Sequence, residues 1–139
     1  MTRTRGASSA RRTVAVLAGV ALVAALTAEA AEPPTITAAQ ASEYVGKRVK
    51  VCGEIAAVGR AFAKREGGKQ VFLHFDKAPP GSPFVAVVIG YDLEKFWRLD
   101  STAVHRRACV TGYVKRNEAM TYGIVDAMNQ MTFTDDKPQ

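Results

Sequence analysis

The sequence predicts a small, mainly β protein: a barrel of five strands with a short N-terminal helix and a second helix between strands three and four. Three observations predict this fold class. Apolar and polar residues alternate in short segments, as they do in strands with one buried face. Turns rich in glycine and proline separate those segments. Two cysteines, Cys52 and Cys109, fall on corresponding sides of two of the segments.

The first 30 residues have the three parts of a secretory signal peptide. Four arginines precede an uncharged apolar run of 15 residues, Val14 to Ala28, and small residues at Ala28 and Ala30 predict cleavage after Ala30. The alternative is an uncleaved anchor, but such a run would span roughly 22 Å of a hydrocarbon core about 30 Å thick. We therefore expect a periplasmic or secreted protein with no stable membrane anchor. The sequence leaves open whether the general secretory or the twin-arginine route exports it.

The predicted mature chain is one domain, residues 31–134, with a polar tail at residues 135–139. Residues 1–30 hold four arginines and one glutamate, which leaves 15 basic and 12 acidic residues and a net charge of +3. This charge is compatible with an anionic partner but does not require one. Composition alone therefore does not identify a nucleic-acid-binding protein.

The domain is predicted to begin with a short helix over Ala38 to Val45. Thr37 and Gln40 form a capping-box pattern, in which each side chain can reach a backbone amide of the other residue. Gly46 supplies a stop signal for this helix.

Five strands are predicted after this helix: Lys47 to Val58, Gln70 to Asp76, Phe84 to Ile89, Arg107 to Lys115 and Tyr122 to Ala127. A polar loop, Arg60 to Lys69, is predicted between the first two. The third strand is apolar on both faces, so its outer side should be covered. Asp92 to Arg98 is amphipathic and is predicted to be the second helix.

The two cysteines test this topology. Cys52 lies on the face of the first strand opposite Val51, and Cys109 lies on the face of the fourth opposite Val110. If these strands are antiparallel neighbours, the cysteines can face each other with Cα atoms about 4.5–5.5 Å apart. Disulfides persist outside the cytoplasm, so one bridge closing a loop of about 58 residues is predicted. The alternative is two unpaired, small hydrophobic residues.

Six pieces of the mature chain together match a known family: Ile36 to Gln40, Tyr44 to Gly53, Val71 to Lys77, Phe84 to Ile89, Ala108 to Tyr113 and, weakly, Tyr122 to Val125. In these pieces the chain resembles small exported bacterial proteins with an OB (oligonucleotide/oligosaccharide-binding) fold, of the nucleic-acid-binding-like or tRNA-anticodon type. The resemblance implies an OB barrel, whose first and fourth strands pair. One departure is His74, where such proteins usually carry an asparagine. The resemblance specifies no ligand, because OB barrels bind nucleic acids, sugars and proteins.

The ligand face of an OB barrel comprises strands two and three and two flanking loops. Nine residues of this chain are predicted to occupy it: Arg60, Phe62, Lys64, Arg65, Lys69, Phe72, His74, Lys115 and Arg116. Tyr113 and Tyr122 are close to the last two in the chain. Single-stranded nucleic acid is bound by cations that follow phosphates and rings that stack on bases, so it is the predicted partner. The alternative is that these basic loops are simply solvated.

A second hypothesis is a cell-envelope module that binds a protein or a glycan and has no nucleic-acid role. Phe96 and Trp97, near the apolar third strand, could form such a surface. The competing interpretation is that their helix plugs the end of the barrel.

No catalytic residue, metal site or cofactor is predicted, so the protein is not expected to be an enzyme. The only histidines, His74 and His105, have no cysteine or paired carboxylate at ligand spacing. His74 with Asp76 is interpreted as a surface hydrogen bond. A nuclease of the OB class would need clustered carboxylates for Ca²⁺, whereas those of this chain occur one per segment: Glu54, Glu66, Asp76 and Glu118.

Overall fold

The fold is that of a computed structural model of the 139-residue chain, which describes residues 31–63 and 68–134 together with Ala15 and Gly19. The chain divides into two units, residues 1–30 and residues 31–139. The predicted signal peptide, apart from those two residues, and the predicted polar tail lie outside the described part. None of the helices in the described part combines the length and the apolar character of a bilayer-spanning segment.

Strands dominate the described part of the second unit. They are β1 (Thr35–Thr37), β2 (Arg48–Ala63), β3 (Gly68–Phe75), β4 (Phe84–Ile89), β5 (Arg107–Tyr113), β6 (Lys115–Arg116), β7 (Thr121–Val125) and β8 (Met131–Phe133). The helix α1 is Tyr91–Trp97, and 3-10 helices cover Ala38–Tyr44, Ser101–Ala103 and Met128–Gln130. The predicted N-terminal helix is therefore of the 3-10 type. Its capping box is present, with the Thr37 amide donating to Gln40 Oε1 at 3.0 Å.

Hydrogen-bonded neighbours follow the order β6-β7-β4-β3-β2-β5-β8, with β1 added beside β2. β2, β3 and β4 form an antiparallel meander, β5 pairs antiparallel with β2, and β7 runs parallel to β4. The predicted pairing of the first and fourth strands is confirmed as the β2–β5 ladder. The sheet is curled but not closed, because no ladder joins β5 to β7 among the described residues. The prediction of a clean five-stranded closed barrel is therefore wrong.

One side chain bridges the gap between β5 and β7, which we call the seam. The Gln130 amide nitrogen donates to the carbonyl of Thr111 on β5 at 3.3 Å and to that of Ile124 on β7 at 3.0 Å. Its Oε1 accepts from the backbone amides of Asp126 and Ala127 at 2.8 and 2.9 Å. Gln130 thus satisfies backbone groups that a ladder would otherwise pair.

The core lies on the concave side of the sheet. Alternate residues of β2 and β3 are buried there: Val49, Val51, Ile55, Val71, Leu73 and Phe75. Phe75 packs edge-to-face on Phe84 of β4, with ring centroids 5.6 Å apart. From α1, Leu93 and Trp97 join the same buried cluster. This burial supports the interpretation that the helix plugs one end of the sheet.

β4 is covered on both faces, as its sequence predicts. Val85 and Val87 point to the outer side and are nevertheless buried. β4 lies between β3 and β7, so Phe72 and Ile124 flank Val87 in the register. The side chains of neighbouring strands therefore cover the outer face of β4.

β2 is longer than the sequence predicts. The predicted first strand ends at Val58 and is followed by a loop over Arg60 to Lys69, but β2 continues to Ala63 and pairs with β3 as far back as Gly68. The register shifts between Ile55 and Ala57, as a β-bulge requires. Gly68 has φ of +89°, a conformation that glycine adopts without strain.

The predicted disulfide is confirmed. Cys52 on β2 and Cys109 on β5 are register partners and form a bond with an S–S distance of 2.01 Å and a Cα–Cα distance of 4.1 Å. The bridge joins residues 57 positions apart. It therefore ties the first strand of the meander to the strand that follows α1.

Candidate functional site

An aromatic cavity of about 210 Å³ lies on the outer face of β3, β4 and β7. Its lining residues are Gln70, Phe72, Val87, Ile89, Asn117, Met120, Tyr122 and Ile124. The register explains how they meet. Phe72, Val87 and Ile124 form one row across three strands, and Tyr122 lies two residues from Ile124 on the same face of β7. Phe72 and Tyr122 therefore lie diagonally opposite each other on the two sides of β4.

Two amide side chains supply the polar groups of this cavity. Asn117 Oδ1 accepts from the backbone amides of Ala119 and Met120, both at 2.8 Å, which fixes the short loop before β7. Its amide nitrogen is not used in those bonds. With Gln70 on the other side, the cavity offers apolar rings and neutral hydrogen-bonding groups.

His74 lies on the outer face of β3, two residues from Phe72, and anchors the proline-rich turn. Ser82 Oγ donates to the Lys77 carbonyl at 2.7 Å and lies 2.8 Å from His74 Nδ1. Because the hydroxyl proton is committed to Lys77, Nδ1–H is the donor to Ser82. Partial burial lowers the pKa of His74 from its ordinary value of 6.5. The predicted surface pair with Asp76 does not occur among the hydrogen bonds of the described residues, and Asp76 Oδ1 instead accepts from the backbone amide of Glu54 at 3.1 Å.

This lowered pKa predicts a pH dependence of stability. As the pH falls below 6.5, the unfolded chain binds a proton at residue 74 before the folded protein does, so the free energy of unfolding decreases until the folded pKa is passed. Above pH 6.5 this contribution is fully present. His74→Asn keeps a donor for Ser82 and removes the titration. Urea unfolding between pH 7.5 and 5 should therefore show a steeper loss for the wild type than for His74→Asn.

The exposed histidine provides the control for this prediction. His105 lies 3.1 Å from Glu54 Oε1 on the surface, and its side chain is 81% exposed. His105→Asn should retain the steeper acid-side loss. If the pH profiles of the wild type and His74→Asn coincide, the acid-side loss of stability does not come from His74.

The structure does not bring two of the predicted cations to the aromatic cavity. Arg60 forms an ion pair with Glu94 of α1 and donates from Nη2 to the carbonyl of Leu99 at 2.7 Å. Lys69 Nζ lies 4.0 Å from the same Glu94. Arg60 is the register partner of Val71, whose side chain is buried in the core. Arg60 and Lys69 therefore attach the β2–β3 hairpin to α1 on the concave side.

The other predicted residues have different positions. Lys64 and Arg65 lie outside the described residues, and Phe62 is described only through its backbone, which pairs with Lys69. Lys115 and Arg116 form β6, beside β7, and both are exposed. Of the predicted site residues whose side chains are described, only Phe72 lines the aromatic cavity.

Two further cavities adjoin this region through shared residues. One, of about 280 Å³, contains Arg116 and Glu118 and shares Asn117 and Met120 with the aromatic cavity. The other, the seam cavity, has a volume of about 310 Å³. It is lined by Arg48, Thr111, Gly112, Tyr113, Lys115, Ile124, Asp126 and Gln130. Sequence reasoning did not select Arg48, because its position at the start of a strand carries no signal for a ligand.

A separate cleft of about 490 Å³ lies beside α1 and β8, and we call it the end cleft. Phe96 is 61% exposed and packs edge-to-face on Trp97, with ring centroids 5.9 Å apart. On the other side, the guanidinium carbon of Arg106 lies 3.7 Å from the ring centroid of Phe133. Arg98 also lines the cleft. The end cleft therefore combines exposed aromatic surface with positive charge.

Among residues 31–63 and 68–134, no three His, Cys, Asp or Glu side chains are arranged to hold a metal ion.

Comparison with known proteins does not identify a family for this chain. No family model matches the chain, and no curated protein matches it. Among solved structures, one similar chain is a protein described as an aspartyl-tRNA synthetase from Leishmania major Friedlin, with 14% sequence identity and a TM-score of 0.48. The likeness covers 73% of this chain and 20% of that one. A structural likeness with this sequence identity and TM-score supports no conclusion about function.

Proposed function

We propose that the protein is an exported OB-type binding protein that takes single-stranded nucleic acid on the outer face of β3, β4 and β7. The observation that carries the proposal is the convergence of Phe72 and Tyr122 on one cavity that opens to solvent, lined also by the amides of Gln70 and Asn117. Stacking of a base on an aromatic side chain is worth about 1–3 kcal/mol and tolerates any base sequence. The role proposed is binding, without catalysis.

The strand order supports assignment to the OB class. A three-strand meander, a helix, and two further strands that pair with the two ends of the meander are the connections of an OB barrel. In that class the second and third strands carry the ligand, and these are β3 and β4 here. The seam then marks the place where this barrel remains open.

Export is proposed on two grounds. Residues 1–30 carry the charge and hydropathy pattern of a signal peptide. The disulfide between Cys52 and Cys109 is a bond that persists in oxidising compartments. Residues 31–139 would then act in the periplasm or outside the cell.

Phe72→Ala tests the proposal. The substitution removes one stacking surface from a partly exposed position, so we expect the Kd for a fluorescein-labelled dT10 to rise about 5- to 100-fold. Fluorescence anisotropy at 50 mM salt measures the change. Phe96→Ala is the matched control, because it removes an exposed phenylalanine from the end cleft. The proposal fails if the wild type does not bind the oligonucleotide, or if Phe96→Ala weakens binding and Phe72→Ala does not.

The end cleft supports a second candidate function, binding of an envelope protein or a glycan. Phe96 is exposed beside two arginines, and an exposed aromatic surface of this kind is common at interaction sites. Trp97 lies in the wall of the cleft, so its fluorescence reports on occupancy. A response of Trp97 to glycans or envelope extracts, without a response to oligonucleotides, would favour this second function.

A further inference from the structure

We infer that a nucleic-acid strand held in the aromatic cavity continues across β7 into the seam cavity, where Arg48 and Lys115 bind its phosphates. This inference rests on the function proposed above. It adds a phosphate-binding residue, Arg48, that the sequence did not single out, and it gives the ligand a direction across the strands.

The two cavities adjoin along β7. Ile124 lines both of them. Tyr122 precedes it by two residues and lines the aromatic cavity, whereas Asp126 follows it by two and lines the seam cavity. Tyr122 and Ile124 are two apart in β7 and point to the same face, and Asp126 comes directly after the end of the strand. A chain running across the outer face can therefore pass from one cavity to the other over a single side chain.

The seam cavity has the groups that phosphates require. Arg48 on β2 is the register partner of Tyr113 on β5, and Lys115 follows on β6. Both cations are exposed, and neither takes part in any of the ion pairs found within residues 31–63 and 68–134. Tyr113 is 60% exposed and adds a ring for one more base. Asp126 is the one carboxylate in this lining, so cations exceed acids by two to one.

The aromatic cavity lacks the positive charge that the seam cavity supplies. Its lining holds rings, aliphatic side chains and two amides, but no charged group. A nucleotide chain stacked on Phe72 and Tyr122 would therefore need countercharges from an adjoining surface. Arg60 and Lys69 do not provide them, because both lie beside Glu94 on the concave side. The seam provides two cations together with an aromatic ring.

The salt dependence of binding tests this inference. For single strands, the slope of log K against log salt changes by about 0.7 for each phosphate contact. Arg48→Gln should reduce the slope for dT10 by about 0.7 and weaken binding about five- to tenfold at 50 mM salt. Lys115→Gln should reduce the slope and the affinity by similar amounts. The slope of the double variant should be smaller by about 1.4 than that of the wild type. Arg98→Gln, the same change of charge in the end cleft, should leave the slope unaltered.

An abasic oligomer separates this inference from the proposed function. It carries phosphates without bases, so in ¹⁵N-labelled protein it should shift the amides of Gly112 and Lys115, and Arg48→Gln should reduce those shifts at the same oligomer concentration. Tight, Phe72-dependent binding of dT10 whose salt slope is the same in wild type and Arg48→Gln would overturn the inference and leave the proposed function intact. No binding of dT10 by the wild type would overturn both. The variants are expected to unfold at the same temperature as the wild type, because the substituted positions are exposed. This result would show that weaker binding is not caused by misfolding.

Discussion

Replacing both cysteines by alanine, Cys52→Ala with Cys109→Ala, is expected to lower the free energy of unfolding by about 4 kcal/mol. The bridge joins residues 57 positions apart, and a cross-link of that length restricts the unfolded chain by about this amount on the chain-entropy account. A domain of this size has a total stability of only about 5–15 kcal/mol. Urea unfolding of residues 31–139, followed by circular dichroism, measures the difference.

Reduction provides the control for this prediction. Wild-type protein in excess dithiothreitol should unfold near the midpoint of the double variant, and the reductant should not affect the variant itself. Denatured wild type should show no titratable thiol until it is reduced. Two thiols in the unreduced protein, or a double variant within about 1 kcal/mol of wild type, would contradict the role of the bridge.

Gln130→Ala is expected to cost about 2–4 kcal/mol of stability, which is large for a partly exposed side chain. The substitution removes four hydrogen bonds at once, two to the carbonyls of Thr111 and Ile124 and two from the amides of Asp126 and Ala127. The backbone groups left along the seam have no ladder to replace them. Thermal unfolding and amide hydrogen exchange at residues 111 and 124–127 measure the effect.

Two comparisons make this prediction specific. Gln130→Glu keeps the acceptor for Asp126 and Ala127 but turns an anionic oxygen toward two carbonyls, so it should be at least as destabilising as alanine. Gln40→Ala removes an amide that makes one capping contact, with Thr37, and should cost about 1 kcal/mol or less. If Gln130→Ala is no more destabilising than Gln40→Ala, another contact holds the seam.

The middle of the sheet could be predicted from sequence because burial of one face enforces alternation there. The predicted third strand has the bounds of β4, and Val71, Leu73 and Phe75 of the second are buried as predicted. The same alternation placed Cys52 and Cys109 on facing positions. In these segments local pattern and tertiary packing agree.

The edges of the sheet could not be predicted, because a segment of two or three residues is too short for its pattern to specify a partner. β1 and β8 have three residues each and β6 has two, and each is a strand only because an adjacent strand offers free backbone groups. The extension of β2, Gly59 to Ala63, shows no regular alternation of apolar and polar residues, so its sequence resembles a loop. The open seam depends on one glutamine, whose role arises from its contacts with two carbonyls on different strands, those of Thr111 and Ile124.

Ion pairs place two of the predicted site residues away from the aromatic cavity. A sequence shows that Arg60 and Lys69 are cations but not that Glu94, more than twenty residues later, lies beside both of them. Phe72 was found because it alternates with buried residues on a strand. Arg48, Gln70 and Met120 were missed, since their meeting with Phe72 or Lys115 depends on the curl of the sheet.

The most direct test of the central claim is a map of amide chemical shifts in ¹⁵N-labelled protein titrated with dT10. If the outer face of β3, β4 and β7 is the binding surface, the largest shifts will fall at Phe72, Val87, Tyr122 and Ile124, while Phe96 and Phe133 at the end cleft remain unchanged. Shifts confined to the end cleft, or none at millimolar oligonucleotide, would contradict it.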